Sequence, residues 1–117
     1  MPLKMTIEPQ EWLMVGDTKV VNIHENTATF FVEGPGPILR QAHTIAISEA
    51  NTSAKRVYLA VQRLYLGITT EMTEYHNAAR EMLTDRPCSK EAVLKANVLM
   101  AKGSLYGALR EYRKLID

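Results

Sequence analysis

With 117 residues the chain is long enough for one hydrophobic core, and its 46% hydrophobic and 23% charged content is that of an ordinary globular domain. No apolar run reaches the ~20 residues of a membrane-spanning helix, and MPLKMTIEPQ at the start lacks the apolar core of a secretory leader, so a cytoplasmic protein with no membrane partner is expected. The formal net charge of +1 conceals an asymmetry: residues 1–50 carry three basic and six acidic side chains (−3) and residues 51–117 eleven and seven (+4), so a polyanion is drawn to the second half.

Residues 3–47 alternate with period two. Leu3, Met5 and Ile7 point one way and Lys4, Thr6 and Glu8 the other, as a half-buried strand requires. Pro9-Gln10-Glu11 turns the chain. Trp12 to Val15 is expected as a second strand ended by Gly16-Asp17, and Lys19 to Ile23 as a third ended by His24-Glu25-Asn26. Thr27 to Glu33, rich in Thr, Phe and Val, makes the fourth. Gly34-Pro35-Gly36-Pro37 stops it, because proline cannot donate to a ladder, and Ile38 to Gln41 is a short fifth. The pattern predicts an antiparallel β meander or small barrel.

Around Asn51 the period switches to 3.6. Ala54, Val57, Tyr58, Val61, Leu64 and Tyr65 form one stripe of a helix that Asn51 or Thr52 can cap and Gly67 can end. A second helix is expected from about Thr69, with Met72, Tyr75, Ala79, Met82 and Leu83 on its apolar face, Glu71 and Glu74 at its positive end and Pro87 as its stop. Ser89 caps a third, with Val93, Leu94, Asn97 and Met100 inward. Gly103 breaks it, and Leu105, Ala108, Leu109, Tyr112, Leu115 and Ile116 make the stripe of a fourth. Short turns predict an antiparallel helical bundle. The fold class is α+β, with a β-rich part over 1–50 and a four-helix region over 51–117 in one compact unit.

Catalytic constellations are absent from the pattern. His24, His43 and His76 fall in a turn, a loop and a helix, with no His-x-x-x-His or Cys-x-x-Cys spacing, so neither metal nor other cofactor is expected. Cys88, the lone cysteine, sits in an Arg86-Pro87-Cys88-Ser89 turn and fits a reducing compartment. A binding protein, not an enzyme, is the expectation. Arg56 and Arg63 lie two turns apart, opposite the apolar stripe of the first helix. On the last helix Tyr106, Arg110, Arg113 and Lys114 line one side, a ring followed by three cations, which can stack a base and neutralise phosphates. Both sets also suit an ordinary solvated helix face. Trp12, Tyr58, Tyr65 and Tyr112 are expected in the core.

Two resemblances attach to these residues. The opening Met1-Pro2-Leu3-Lys4-Met5-Thr6-Ile7, the strand Ile38-Leu39-Arg40, the run Thr52 to Gln62 with Tyr65-Leu66, and the ending Tyr106-Gly107-Ala108-Leu109 with Arg113-Lys114-Leu115-Ile116 resemble the flagellar regulator family FlbT, nearly end to end. That resemblance implies post-transcriptional regulation of flagellin, through binding of the flagellin mRNA 5′ leader and a change in its lifetime or translation. The stretch Gln10 to Asp17, the paired strands to Glu33 and Ile38-Leu39-Arg40 are similar, more distantly, to the RNA-binding translational regulator CsrA. The CsrA likeness implies a homodimer whose RNA site is built from a first and a last strand, which by position nominates Leu3, Lys4 and Arg40. Arg56, Arg63, Tyr106, Arg110, Arg113 and Lys114 join them as candidate RNA contacts. A different class of reading is a protein-interaction module, either a flagellin chaperone or an adaptor for another flagellar regulator.

Overall fold

The structure is a computed structural model that describes residues 3–116. It comprises two compact units, residues 1–44 and 45–117. The first holds five short strands and the second four helices, so the chain is α+β.

In the first unit the strands are β1 (Leu3–Ile7), β2 (Trp12–Val15), β3 (Thr18–Val21), β4 (Ala28–Val32) and β5 (Ile38–Arg40). All pairings are antiparallel, but they make two sheets and no closed barrel: β1 pairs with β4, while β2 is the middle strand between β3 and β5. Only β2 and β3 are neighbours in both chain and sheet, so the expected meander is confined to one hairpin. A tight turn explains that hairpin, since Gly16 takes φ +61°, a conformation without penalty for glycine. The stretch after β3 follows a different course. Asn22 Nδ2 donates to the carbonyls of Ile7 and Asn26, and the Gln10 N–H donates to the Asn22 carbonyl, tying the exit of β3 to the end of β1. The chain then reaches β4 already beside β1.

Met5, Ile7 and Leu13 form the buried centre of this unit, with Val15, Phe30, Val32 and Ile38 packed against them. Period two therefore reports burial correctly on β1. It fails on β3, where every residue is exposed.

The helices are α1 (Ser53–Tyr65), α2 (Thr73–Asp85), α3 (Lys90–Ala101) and α4 (Leu105–Arg113). Thr52 caps α1 by accepting the Lys55 N–H at 3.1 Å, and Gly67, at φ +76°, follows its last turn. α2 begins later than Thr69, because the Thr69 hydroxyl accepts the Glu71 N–H and holds that segment in a side-chain turn. Ser89 does not cap α3; its hydroxyl donates to the Arg86 carbonyl at 2.6 Å. α4 stops at Arg113, which leaves Leu115 and Ile116 half-buried beyond it.

Val57, Tyr58, Val61 and Leu64 of α1, Tyr75, Ala79 and Met82 of α2, Val93 and Ala96 of α3, and Ala108, Leu109 and Tyr112 of α4 make the buried interior. α1 packs on α2 and α4, and α3 packs on α4. Polar pairs fix an antiparallel register: Ser53 bonds Asp85 at 2.8 Å, Arg56 meets Glu81 and Arg63 meets Glu74. In the second hairpin Lys95 meets Glu111. Leu94, expected inward, lies instead on the outer side of α3 and is exposed.

Candidate nucleic-acid interface

Alternation on β1 turns Lys4 away from Met5 and Ile7 onto the outer face of the two-stranded sheet. It lies opposite Phe31, which is 66% exposed, and beside the Thr6 and Thr29 hydroxyls, 3.2 Å apart. Leu3 shares the parity of the core residues but sits at the open end of the strand, half in water. Arg40 ends β5 opposite Leu13 and is exposed, its carbonyl accepting the Thr44 hydroxyl at 2.8 Å. Leu3 and Lys4 thus belong to one sheet and Arg40 to the other. Neither Lys4 nor Arg40 has a carboxylate partner among the described residues.

Trp12, expected in the core, is only half-buried, and the Lys19 ammonium lies 4.4 Å from its ring centroid. A cation over an indole face is attractive, so this ring is covered by the protein's own lysine.

The cations of the helical unit sort into two groups. Arg56 Nε donates to Glu81 Oε1 at 2.7 Å, with a second guanidinium nitrogen on the same oxygen. Arg63 Nε lies 3.3 Å from Glu74 Oε1 without the alignment of a hydrogen bond. Lys114 bonds Glu111, which Lys95 also reaches at 3.3 Å. Burial pushes the Glu111 carboxyl up, but the two lysines outweigh it and hold the group below the usual carboxylate range. Arg56, Arg63 and Lys114 therefore carry charge already partly neutralised by neighbouring acids. Arg113 turns toward the buried phenol of Tyr58, 3.4 Å away. Arg110 is exposed and has no partner among the described residues. Tyr106 is 41% exposed, its ring centroid 5.5 Å from that of Tyr65.

Tyr106, Arg110, Arg113 and Lys114 consequently do not present one continuous free row. Tyr106 and Arg110, one turn apart, remain available to a ring and an anion. The acidic partners Glu74, Glu81 and Glu111 were not visible in the sequence as partners, except through the Glu111–Lys114 spacing of three. The others depend on helix register.

No group of three or more His, Cys, Asp or Glu side chains that could hold a metal ion occurs among the described residues. No helix among them is long and apolar enough to cross a membrane. The two units, of α+β fold, present exposed cations, half-exposed rings and apolar side chains. The chain belongs to the FlbT family, whose description as flagellar protein FlbT matches residues 3–117. It is 35% identical to a probable flagellum biosynthesis repressor protein FlbT of Rhodopseudomonas palustris (strain TIE-1), over 99% of this chain and 93% of that one. It is 36% identical to the probable flagellum biosynthesis repressor protein FlbT 1 of Bradyrhizobium diazoefficiens, over 99% and 81%. A relative of the same name in Caulobacter sp. (strain K31) is 27% identical over 100% and 92%. No solved structure matches the chain, so the likeness of the β unit to CsrA is a matter of sequence alone.

Proposed function

We propose that the protein regulates flagellum biogenesis as a repressor, acting in the cytoplasm after transcription by binding the 5′ leader of flagellin mRNA. Membership in a family whose relatives are named flagellum biosynthesis repressors supports the regulatory part. One observation supports the RNA part: of the nominated cations, Lys4, Arg40 and Arg110 are exposed and free of carboxylate partners among the described residues. Unneutralised cations are the ones that release counterions from a phosphate backbone. Tyr106 adds a ring on which a base can stack. The protein acts as a homodimer in this reading, supported by the exposure of Phe31 and Leu3 on a two-stranded sheet whose strands each keep an open edge.

The test is binding of flagellin leader RNA to the whole protein over a salt series. Affinity should fall steeply with salt, and Arg40→Ala should weaken it about tenfold with an unchanged melting temperature. Affinity indifferent to salt and to leader sequence, or unaltered in Arg40→Ala, defeats the reading. A second reading, as an adaptor or chaperone that binds protein, is favoured by the exposed aliphatic side chains of α3.

A further inference from the structure

α3 is apolar on two faces. Val93 and Ala96 are buried in the helical unit, while Leu94, Val98 and Ala101 follow one another at i, i+4 and i+7 along the opposite side, a stripe about 10 Å long. Leu94 is 55% and Val98 53% exposed, and Ala101 is exposed too. Two branched aliphatic side chains on consecutive turns form a contiguous apolar strip in water, where a solvated helix face would carry polar groups.

Lysines flank the strip. At 100° per residue, Lys90 stands on one side and Lys95 and Lys102 on the other, all exposed. Lys95 reaches Glu111 but keeps 62% of its side chain in solvent. Glu91, the sole acidic residue of α3, stands at its N-terminal end on the Lys95 and Lys102 side, so the flanks carry three positive charges to one negative.

We propose that this face of α3 docks an acidic amphipathic helix of a partner protein. The partner's apolar positions lie on Leu94, Val98 and Ala101, and its carboxylates lie beside Lys90, Lys95 and Lys102. The proposal deepens the protein-binding reading and is independent of RNA binding. Charge selects the occupant. A second copy of the same face would set three lysines and one glutamate against three lysines and one glutamate, a net repulsion that an acidic partner does not meet. RNA finds no ring or hydrogen-bonding group on the strip itself. A lipid surface wants a longer, bulkier apolar face.

The probe is a synthetic helical peptide with leucine at heptad positions a and d and glutamate at e and g, titrated by fluorescence anisotropy against the full chain. Its control carries lysine in place of glutamate. The acidic peptide should bind, more weakly as salt rises, and the lysine peptide should not. Leu94→Glu and Val98→Glu should each weaken binding about tenfold or more while leaving the melting temperature and leader-RNA affinity unchanged. Lys90→Glu with Lys102→Glu should invert the peptide preference. Equal binding of both peptides, or full affinity in Leu94→Glu, overturns the proposal. So does a lower sedimenting mass in Leu94→Glu, which would assign the face to a second copy, or loss of binding to anionic vesicles in that variant, which would assign it to lipid. Because leader-RNA affinity is read in the same variants, failure of this surface and failure of the RNA reading are separate results.

Discussion

The Tyr75 hydroxyl donates to Asn97 Oδ1 at 2.5 Å and lies 2.6 Å from the Tyr112 hydroxyl, so Tyr112 is left to donate to Tyr75. The chain of bonds joins α2, α3 and α4 inside the helical unit. Removing its two ends is unequal. Tyr75→Phe leaves the fully buried Tyr112 hydroxyl without its acceptor and should cost about 2 kcal/mol in denaturant unfolding, whereas Tyr112→Phe leaves Tyr75 bonded to Asn97 and should cost about 1 kcal/mol. Equal losses would mean that the donor order is wrong. Burial raises both phenols above their ordinary value; the bond from Tyr112 draws Tyr75 partly back and pushes Tyr112 further up. An acid whose folded pKa is raised stabilises the fold fully below its unfolded pKa, and that contribution is lost as pH climbs past it. Unfolding midpoints should therefore hold to about pH 9 and fall above pH ~10, less so when both tyrosines are phenylalanine. Glu111 acts at the other end of the scale. Its lowered pKa stabilises above the usual carboxyl range and is lost as pH falls through the depressed value.

Helices respond to caps and register, and two predictions test each. The Ser104 hydroxyl accepts the Gly107 N–H at 3.3 Å, and a Cβ at Gly107 would stand 2.6 Å from that oxygen. Alanine in a helix ordinarily gains about 1 kcal/mol over glycine, but here it displaces a cap worth about as much, so Gly107→Ala should bring no gain. In a Ser104→Ala background the same change should stabilise, as a two-step unfolding series will show. Register decides the α1–α2 pairs. Exposed ion pairs contribute little, so Glu74→Gln and Glu81→Gln should shift unfolding by about 0.5 kcal/mol at most. Both free an arginine, and a rise in leader-RNA affinity would place Arg56 or Arg63 at the phosphates, while no change would leave them as struts between helices. The apolar stripes of α1, α2 and α4 could largely be read because 3.6-residue periodicity is a local property, but Met72, expected on the face of α2, lies before that helix and is exposed, and Leu115 and Ile116 lie beyond α4. α3 could not be read, since apolar residues on both its faces give no preferred side: Leu94, expected inward, is exposed, and Val93 and Ala96 are the buried pair.

Across the whole chain, the helical unit of residues 45–117 holds eleven basic and eight acidic side chains, yet several of those cations face their own acids. Net charge overstates what a polyanion meets. The β unit is poorer in cations, but Lys4 and Arg40 stand unopposed by a carboxylate among the described residues. Its core is small, resting on the buried Met5, Ile7, Leu13 and Leu39 and four partly buried side chains, and exposed Phe31 is available for association. If the proposed homodimer forms through this face, Phe31→Glu should leave the fold intact and lower the sedimenting mass to that of the 13.2 kDa monomer; a mass unaffected by the change would count against it. By contrast Val57, with no exposed surface, lies at the centre of the helical unit. Val57→Asp should abolish its cooperative unfolding and most of its helical circular dichroism, since an unpaired buried charge costs about as much as a unit of this size has to spare.

Local chemistry alone settles the α+β class, the strand and helix ranges to within a few residues, a cap at Asn51 or Thr52, the glycine turns and the family, because each depends on neighbours in the chain. The β1–β4 and β2–β5 pairings and the meeting of Arg56 and Arg63 with acids join side chains 11 or more residues apart, and the outward stripe of α3 depends on which of its faces the other helices cover. Long-range packing chooses among arrangements that periodicity leaves equal, and for that reason it decides which nominated cations are free to meet a ligand.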